Sequence, residues 1–255
     1  MGKLDRKIAI VTGASRGIGR AIARRLAGEG ASVFLAADGT EEELQAAAGE
    51  CREAGGGSKA AEIGIFDLAQ PGAAEAMVEA ALNHFSQIDI LVNNAGLRAH
   101  QPFGEFTHED FERLVAVNLR APFFASQAVL PSMRAAGGGR IIHIASQLGV
   151  VAARRTAIYG ITKAGLIHLA RVMALELAAD GIIVNAISPG PTATEYYIKR
   201  LEHDPEDRKQ RLADVPAGRF AEPDEIAAAV VFLASSDSSF IQGHNLIVDG
   251  GYVAH

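Results

Sequence analysis

A single cysteine, Cys51, stands in a chain of 255 residues. That count excludes an internal disulfide framework and a multi-cysteine metal site, fits a reducing compartment, and leaves Cys51 as an inert packing thiol. Basic charge is not in excess: 24 lysines and arginines face 30 aspartates and glutamates, for a formal charge of −6. No block of like charge forms a tail, so nothing here holds a phosphate backbone, and nucleic acid is not expected as a partner. No apolar run approaches the roughly 20 residues that a membrane-spanning helix needs. Met1 to Lys7 is short and charged and runs straight into Ile8-Ala9-Ile10-Val11, with no long apolar stretch before a cleavage site. The expectation is a cytoplasmic protein with no membrane partner. No linker rich in Pro, Ser or Gly and no repeat with a period of about 20 to 50 residues divides the chain. Residues 1–255 are therefore expected to form one domain, at the upper edge of single-domain size.

What the chain does have is apolar content, 49% of its residues against 21% charged, enough to bury a sizeable core. Short β-branched runs recur at Ile8 to Val11, Val33 to Leu35, Ile63 to Phe66, Ile88 to Val92, Arg140 to Ile144, Ile182 to Ile187 and Leu246 to Val248. They read as strands buried on both faces. Between them lie Ala-rich stretches of helical periodicity: Gly19 to Gly28, Glu41 to Ala54, Ala73 to His84 and Phe111 to Met133. Alternation of strand and helix predicts an α/β fold, a single doubly wound parallel sheet of the Rossmann type with about seven strands and helices on both faces. Ligands of such sheets sit beyond the carboxyl ends of the strands. The least periodic and most charged stretch, Thr192 to Pro216, contains Tyr196-Tyr197 and the run Lys199 to Arg211. It reads equally as a solvated insertion and as a mobile lid over a substrate.

After the first strand comes Thr12-Gly13-Ala14-Ser15-Arg16-Gly17-Ile18-Gly19, followed by a helix start at Arg20 to Leu26. In the context strand, turn, helix, glycines let the backbone approach a pyrophosphate, whose charge the exposed amides and positive helix end stabilise. The spacing G-x-x-x-G-x-G differs from the G-x-G-x-x-G fingerprint. Asp67 follows the third strand and Asn93-Asn94-Ala95-Gly96 the fourth, both on the ligand edge. Asn93 and Asn94 suit a ligand and suit equally a tie between neighbouring strands. Gly96 leaves room for a flat ring.

The fifth strand runs to Ser146, and Tyr159 and Lys163 follow, four residues apart and so on one helix face. An ammonium near a phenol favours the phenolate and draws its pKa toward the range useful for proton transfer. Ser146 suits a hydrogen bond to a substrate oxygen. Asn118, a poor helix former inside a helical stretch, calls for a functional reason.

Taken together, Thr12-Gly13-x-x-x-Gly17-x-Gly19, Asn93-Asn94-Ala95-Gly96, Asn118, Ser146 and Tyr159-x-x-x-Lys163 resemble the short-chain dehydrogenase/reductase family. The resemblance continues through Pro189-Gly190, Gly218-Arg219, Pro223 to Ala227 and Asp249-Gly250-Gly251, spanning essentially the whole chain. It implies an NAD(P)-dependent oxidoreductase in which Tyr159 is the general acid/base, Lys163 lowers its pKa and holds the nicotinamide ribose, Ser146 positions the substrate oxygen and Asn118 supports a proton-relay water. It also implies a dinucleotide site of Gly13, Ser15, Arg16, Gly17, Ile18, Gly19, Asp38, Asp67, Leu68, Asn94, Ala95, Gly96, Tyr159, Lys163, Pro189, Gly190 and Thr192, with Asp67 at the adenine and Thr192 at the carboxamide. A homotetramer is implied, joined by the helices around Asn118 and Tyr159, and no metal.

Cofactor choice turns on Leu35-Ala36-Ala37-Asp38-Gly39, where a carboxylate accepts from the ribose hydroxyls and repels a 2′-phosphate. Asp38 points to NAD, although NAD-preferring members usually carry the acid one position earlier, at Ala37 here. Arg16 pulls toward NADP, because it is able to pair with a 2′-phosphate. The expected substrate rim comprises Gln147, Leu148, Ile158, Pro191 and Tyr196, with Arg98, His100, Ala152 and Tyr197 nearby. Its mixed chemistry predicts a modest polar alcohol or ketone, a sugar or polyol first and a 3-oxoacyl thioester reduced with NADPH next. Arg154 and Arg155 suit an anionic substrate group, and equally a solvated surface. From other classes, a non-catalytic dinucleotide sensor or scaffold, and a lyase or epimerase on the same fold, remain open at this point.

Overall fold

The structure is a computed structural model that describes residues 2–57, 60–202 and 205–254. Met1 and, in the charged run, His203 and Asp204 lie outside them. The β-branched runs become β1 (Ile8–Thr12), β2 (Ser32–Ala37), β3 (Ala61–Ile65), β4 (Ile90–Asn93), β5 (Gly139–Ile144), β6 (Ile182–Pro189) and β7 (Asn245–Val248). Runs this apolar are stable only with both faces covered. All seven strands pair in parallel in the order β3-β2-β1-β4-β5-β6-β7. The predicted doubly wound sheet is thus observed.

Helices fill the two faces. On one side α1 (Gly17–Gly28), α2 (Glu41–Ala54) and α9 (Pro223–Ala234) bury Ile22, Leu26, Leu44 and Val230 against Val11, Leu35 and Ile142. On the other, α3 (Ala73–Phe85), α5 (Ala121–Ala135) and α6 (Ala157–Leu177) bury Met77, Val129, Met133 and Leu166 against Ile10, Leu91 and Ile141. Because strand order reverses between β1 and β4, a crevice opens there at the carboxyl edge. With its trailing turn, α6 forms a helical run, Ala157–Asp180, that is the one among the described residues long and apolar enough to cross a membrane by composition alone. It packs on β5 and β6 as a core helix.

Two stretches differ from expectation. Phe111 to Met133 is not one regular helix: α4 (His108–Val115) passes through a wide π-turn, Ala116–Arg120, into α5. Pro122 supplies no amide to the carbonyl of Asn118, so the regular ladder cannot continue through that point. The stretch 192–216 contains α7 (Glu195–Glu202) and α8 (Pro205–Ala213). Their faces are too short and too charged for a periodicity signal to emerge from sequence.

Candidate active site

The glycine turn after β1 is braced from β4. Thr12 Oγ1 accepts from the amides of Asn94 and Ala95, both at 2.9 Å, while Asn94 Nδ2 donates to the carbonyls of Thr12 (2.8 Å) and Gly13 (3.3 Å). Asn94 is therefore a strand tie as well as a lining residue. Asn93 turns into the core, where its Nδ2 meets Ser126 Oγ and His143 Nδ1, each at 3.2 Å. Burial holds the His143 ring neutral, its pKa pushed down to about 3. Gly13 has φ +64°, and a Cβ on Gly19 would strike the Gly13 carbonyl and stand 2.5 Å from Asn94 Nδ2. No larger residue fits this turn.

Unlike α2 and α4, whose N-termini carry capping boxes from Thr40 with Glu43 and Thr107 with Asp110, α1 has no side-chain cap and no acid in its first turn. Its first amides and positive end are left for an anion, which is what a pyrophosphate needs. Thr194 Cγ2 lies 3.2 Å from where a Gly17 Cβ would stand, so the chain leaving β6 closes over the same turn. There Thr192 is buried, its hydroxyl donating to the Gly190 carbonyl at 3.0 Å.

At the end of β2, Ala37 is buried and Asp38 is exposed, as is Arg16 across the turn. Glu43 adds a second carboxylate: its Oε2 accepts from the Thr40 amide at 3.2 Å and lies 2.6 Å from the position a Gly39 Cβ would take. After β3, Asp67 accepts from the Ala69 amide (3.0 Å) and Gln70 Nε2 (3.2 Å), bonds that hold its carboxyl below the usual range. Leu68 beside it is buried.

The expected catalytic residues converge beyond β4 and β5. Ser146 lies two residues past β5 and accepts from the Leu148 amide at 3.1 Å. Its hydroxyl also lies near enough to Tyr159, in the first turn of α6, to favour the phenolate. One turn on, Lys163 is buried, and its Nζ donates to the Ile144 carbonyl at 2.7 Å while lying 5.8 Å from the Tyr159 ring centroid. Asn118, fully buried in the π-turn, accepts from the Leu97 amide (2.7 Å) and donates to the Leu97 carbonyl (2.9 Å) and Thr162 Oγ1 (3.1 Å). A Cβ on Gly96 would stand 3.2 Å from Lys163 Nζ and 3.5 Å from Asn118 Oδ1. The bare glycine keeps open a slot lined by a cation and an amide, the shape and chemistry a ribose with its flat ring requires.

The charge balance at Tyr159 differs from the sequence expectation. Burial pushes its phenol above the ordinary value, and what opposes the rise is the Ser146 hydroxyl and the Arg98 guanidinium, not Lys163. Lys163 is instead depressed by burial, to about 8. Its ammonium donates to the Ile144 carbonyl.

Around this centre Gln147 is buried, and its Oε1 has no hydrogen-bond donor among the described residues. It lies 2.9 Å from where a Gly190 Cβ would be, facing the end of β6 near Pro191. Leu148 and Pro191 are partly exposed, whereas Ile158 is buried in the helix packing. Of the tyrosine pair, Tyr196 is 72% exposed, while Tyr197 stacks edge-on against Phe220 at 5.4 Å. Tyr252 went unnoticed in the sequence. The turn Asp249-Gly250-Gly251, with Asp249 carboxylate oxygens accepting from the amides of Gly251 (2.9 Å) and Val253 (2.8 Å), brings the tail back toward the site. Burial and the neighbouring Asp214 raise the Tyr252 phenol, with Arg211 and Arg98 opposing. The signal for it was the positive φ required at Gly250 and Gly251, +65° and +92°.

An open helix terminus joined at a strand-order reversal to a serine, tyrosine and lysine set defines a dinucleotide-dependent oxidoreductase. Residues 13–253 match the family described as enoyl-(acyl carrier protein) reductase. The chain is 40% identical over 251 residues to the D-threitol dehydrogenase of Mycolicibacterium smegmatis, covering 98% of this chain and 94% of that one. It is 39% identical over 248 residues to a 3-oxoacyl-(acyl-carrier-protein) reductase of Vibrio cholerae, covering 97% and 98%. Among solved structures, a Beutenbergia cavernae chain provisionally described as an NAD(P)-dependent gluconate 5-dehydrogenase, with NADP bound at low occupancy, superposes with a TM-score of 0.91 at 36% identity, covering 99% of this chain and 98% of that one. The protein belongs to the short-chain dehydrogenase/reductase family. It is an NAD(P)-dependent enzyme acting on alcohol and carbonyl groups.

Proposed function

We propose that the enzyme oxidises a secondary alcohol of a sugar, polyol or similar small polar compound, and reduces the corresponding ketone, with NAD as the preferred cofactor. The observation that carries this reading is the convergence of Ser146, Tyr159, Lys163 and Asn118 on the slot kept open by Gly96. Bound NAD supplies the hydride acceptor for alcohol oxidation and, reduced, the donor for the reverse reaction. Tyr159 takes the alcohol proton or returns it, and Ser146 holds the substrate oxygen against it. Lys163 holds the ribose, and Asn118 fixes the segment at Leu97 and supports the water that carries protons outward. Gln147 Oε1, a buried acceptor lacking a donor, suits a substrate hydroxyl, which favours a hydroxylated compound.

The preference for NAD rests on two carboxylates, Asp38 and Glu43, near the ribose end against one arginine, Arg16. Reduction of a 3-oxoacyl thioester with NADPH is the second reading, favoured by Arg16 and by the likeness to the Vibrio cholerae reductase. The exposed apolar residues on α4, α5 and α6 support a homotetramer.

Titration of NADH and NADPH into the wild type and Tyr159→Phe, followed by turnover on a polyol panel, tests the reading. NADH is expected to bind tighter than NADPH to both proteins, within a few-fold of each other. Turnover is expected to fall by about 10³-fold in Tyr159→Phe, the scale of a lost general base. Wild-type-like turnover in the variant overturns the role of Tyr159. Tighter NADPH binding together with turnover confined to 3-oxoacyl thioesters establishes the second reading instead.

A further inference from the structure

Only Asn118 of the π-turn takes part in the chemistry above. The wide ladder of this turn, in which the Ala121 amide reaches back to the Ala116 carbonyl, locks the chain less firmly than an α-helical turn, so the side chains that grip it fix its position. Three consecutive residues do so in different directions. Asn118 holds Leu97 and Thr162. Leu119 lies against α6, its Cδ1 3.1 Å from where a Cβ on Gly165 would stand. Arg120 reaches away to the loop after β3, where its Nη2 donates to the Ala69 carbonyl. In that loop the Ala69 amide donates to the Asp67 carboxylate at 3.0 Å, and the Gln70 amide to the Asp67 carbonyl at 2.9 Å. Ala69 is thus held at its amide by the carboxylate expected at the adenine, and at its carbonyl by the arginine that ends the π-turn. A cavity of about 170 Å³, lined by Leu68, Gln70, Arg120 and Phe124, lies between this loop and the start of α5. The arginine is a polar tie across it, with a charged and therefore strong donor.

Resting on the proposed reading of Asp67 at the adenine and Asn118 beside the reacting groups, we infer that Arg120 is a positioning residue that couples the two ends of the cofactor site. The adenosine half, by fixing the loop at Asp67 and Ala69, draws the π-turn through Arg120 to the place where Asn118 braces Leu97 and Thr162. An adenine that bonds to the Asp67 carboxylate acts on the same residue, Ala69, that the arginine holds. Because Leu119 and Asn118 both press on α6, the turn so placed also sets the helix that carries Tyr159 and Lys163. The adenosine half then contributes to kcat as well as to affinity, since binding energy from a non-reacting part of a ligand is used to order the reacting centre.

The test uses adenosine monophosphate, the half of the cofactor that meets Asp67 and does not extend to Asn118. Amide exchange is followed by mass spectrometry in the wild type, Arg120→Met and Arg120→Lys. In the wild type, saturating nucleotide is expected to slow exchange in the peptides carrying Ala69 and Leu97 alike, at Leu97 by about 10-fold, an ordinary size for coupling between sites. Arg120→Met is expected to keep the slowing at Ala69 and lose it at Leu97, and Arg120→Lys, whose ammonium still donates to a carbonyl, to recover part of it. Slowing at Ala69 but not at Leu97 in the wild type overturns the inference and leaves the reading of the site intact, whatever the variants do. Slowing at Leu97 that persists in Arg120→Met has the same meaning. No slowing at Ala69 in the wild type overturns the placement of Asp67 at the adenine, and the coupling with it. At saturating NAD and the best alcohol of the polyol panel, kcat in Arg120→Met is expected to fall by about 10-fold with the alcohol KM little changed, the mark of an interaction that acts on the chemical step. An unchanged kcat, in protein whose melting temperature matches wild type, also overturns the coupling.

Discussion

Lys163 shows how a single side chain is constrained by where it must work. Its ammonium is buried and accepted by one carbonyl, and its pKa falls to about 8. In the unfolded chain the same group titrates at 10.5, so between those values the unfolded state binds more protons and stability rises with pH. The cost is fully present below about pH 8 and is gone above 10.5. At about 1.4 kcal/mol per pKa unit it amounts to roughly 3 kcal/mol. Urea unfolding of wild type and Lys163→Met across this range is expected to show the wild type gaining on the variant as pH rises. A flat or opposite trend would contradict the burial argument. The identity and position of Ser146, Tyr159 and Lys163 were legible in sequence because strand ends and helical spacing place them. The charge around Tyr159 was not, because Arg98 reaches it from a loop whose path no periodicity encodes.

At the scale of elements, the π-turn between α4 and α5 accounts for Asn118. Its side chain makes three hydrogen bonds, two with the Leu97 backbone and one to the Thr162 hydroxyl. Asn118→Ala strands those groups in a fully buried setting and is expected to cost about 2–4 kcal/mol, by the worth of unsatisfied buried partners. Thermal melting and faster hydrogen exchange at the Leu97 amide are the measurements; an unaltered melting temperature speaks against the bracing role. The sequence marked Asn118 as anomalous and Pro122 as present, yet not the wider turn they make together, since that turn depends on the loop that Asn118 grips. The stretch 192–216 was likewise visible only as an aperiodic segment, its helices being stabilised through contacts such as Tyr197 with Phe220.

At the scale of the molecule, apolar side chains remain uncovered on one flank: Phe111 and Phe123 on α4 and α5, and Ile161, Val172 and Leu175 along one stripe of α6, the last 86% exposed. Surfaces of this kind mark association sites. If the proposed homotetramer forms through this flank, sedimentation of the wild type is expected to give four times the chain mass of 26.7 kDa, and Leu175→Glu, which puts a charge into the apolar surface, a smaller species. A monomeric wild type overturns the assembly. The parallel sheet of about seven strands with helices on both faces followed from the strand runs, because two-faced burial and crossover helices leave few arrangements; the order of the strands did not, because it depends on pairings between runs far apart in sequence.

That same parallel order governs how the chain reaches its native state. No strand pairs with the next through a tight turn, and the central pairing of β1 with β4 joins Ala9 to Ile90. The innermost contact of the sheet waits until some 80 residues have been synthesised and looped back, with loop-closure entropy lost before the pairing gains anything. Slow folding is therefore expected, and until that pairing forms, the edge of β1 that β4 will cover is open to any other strand it meets.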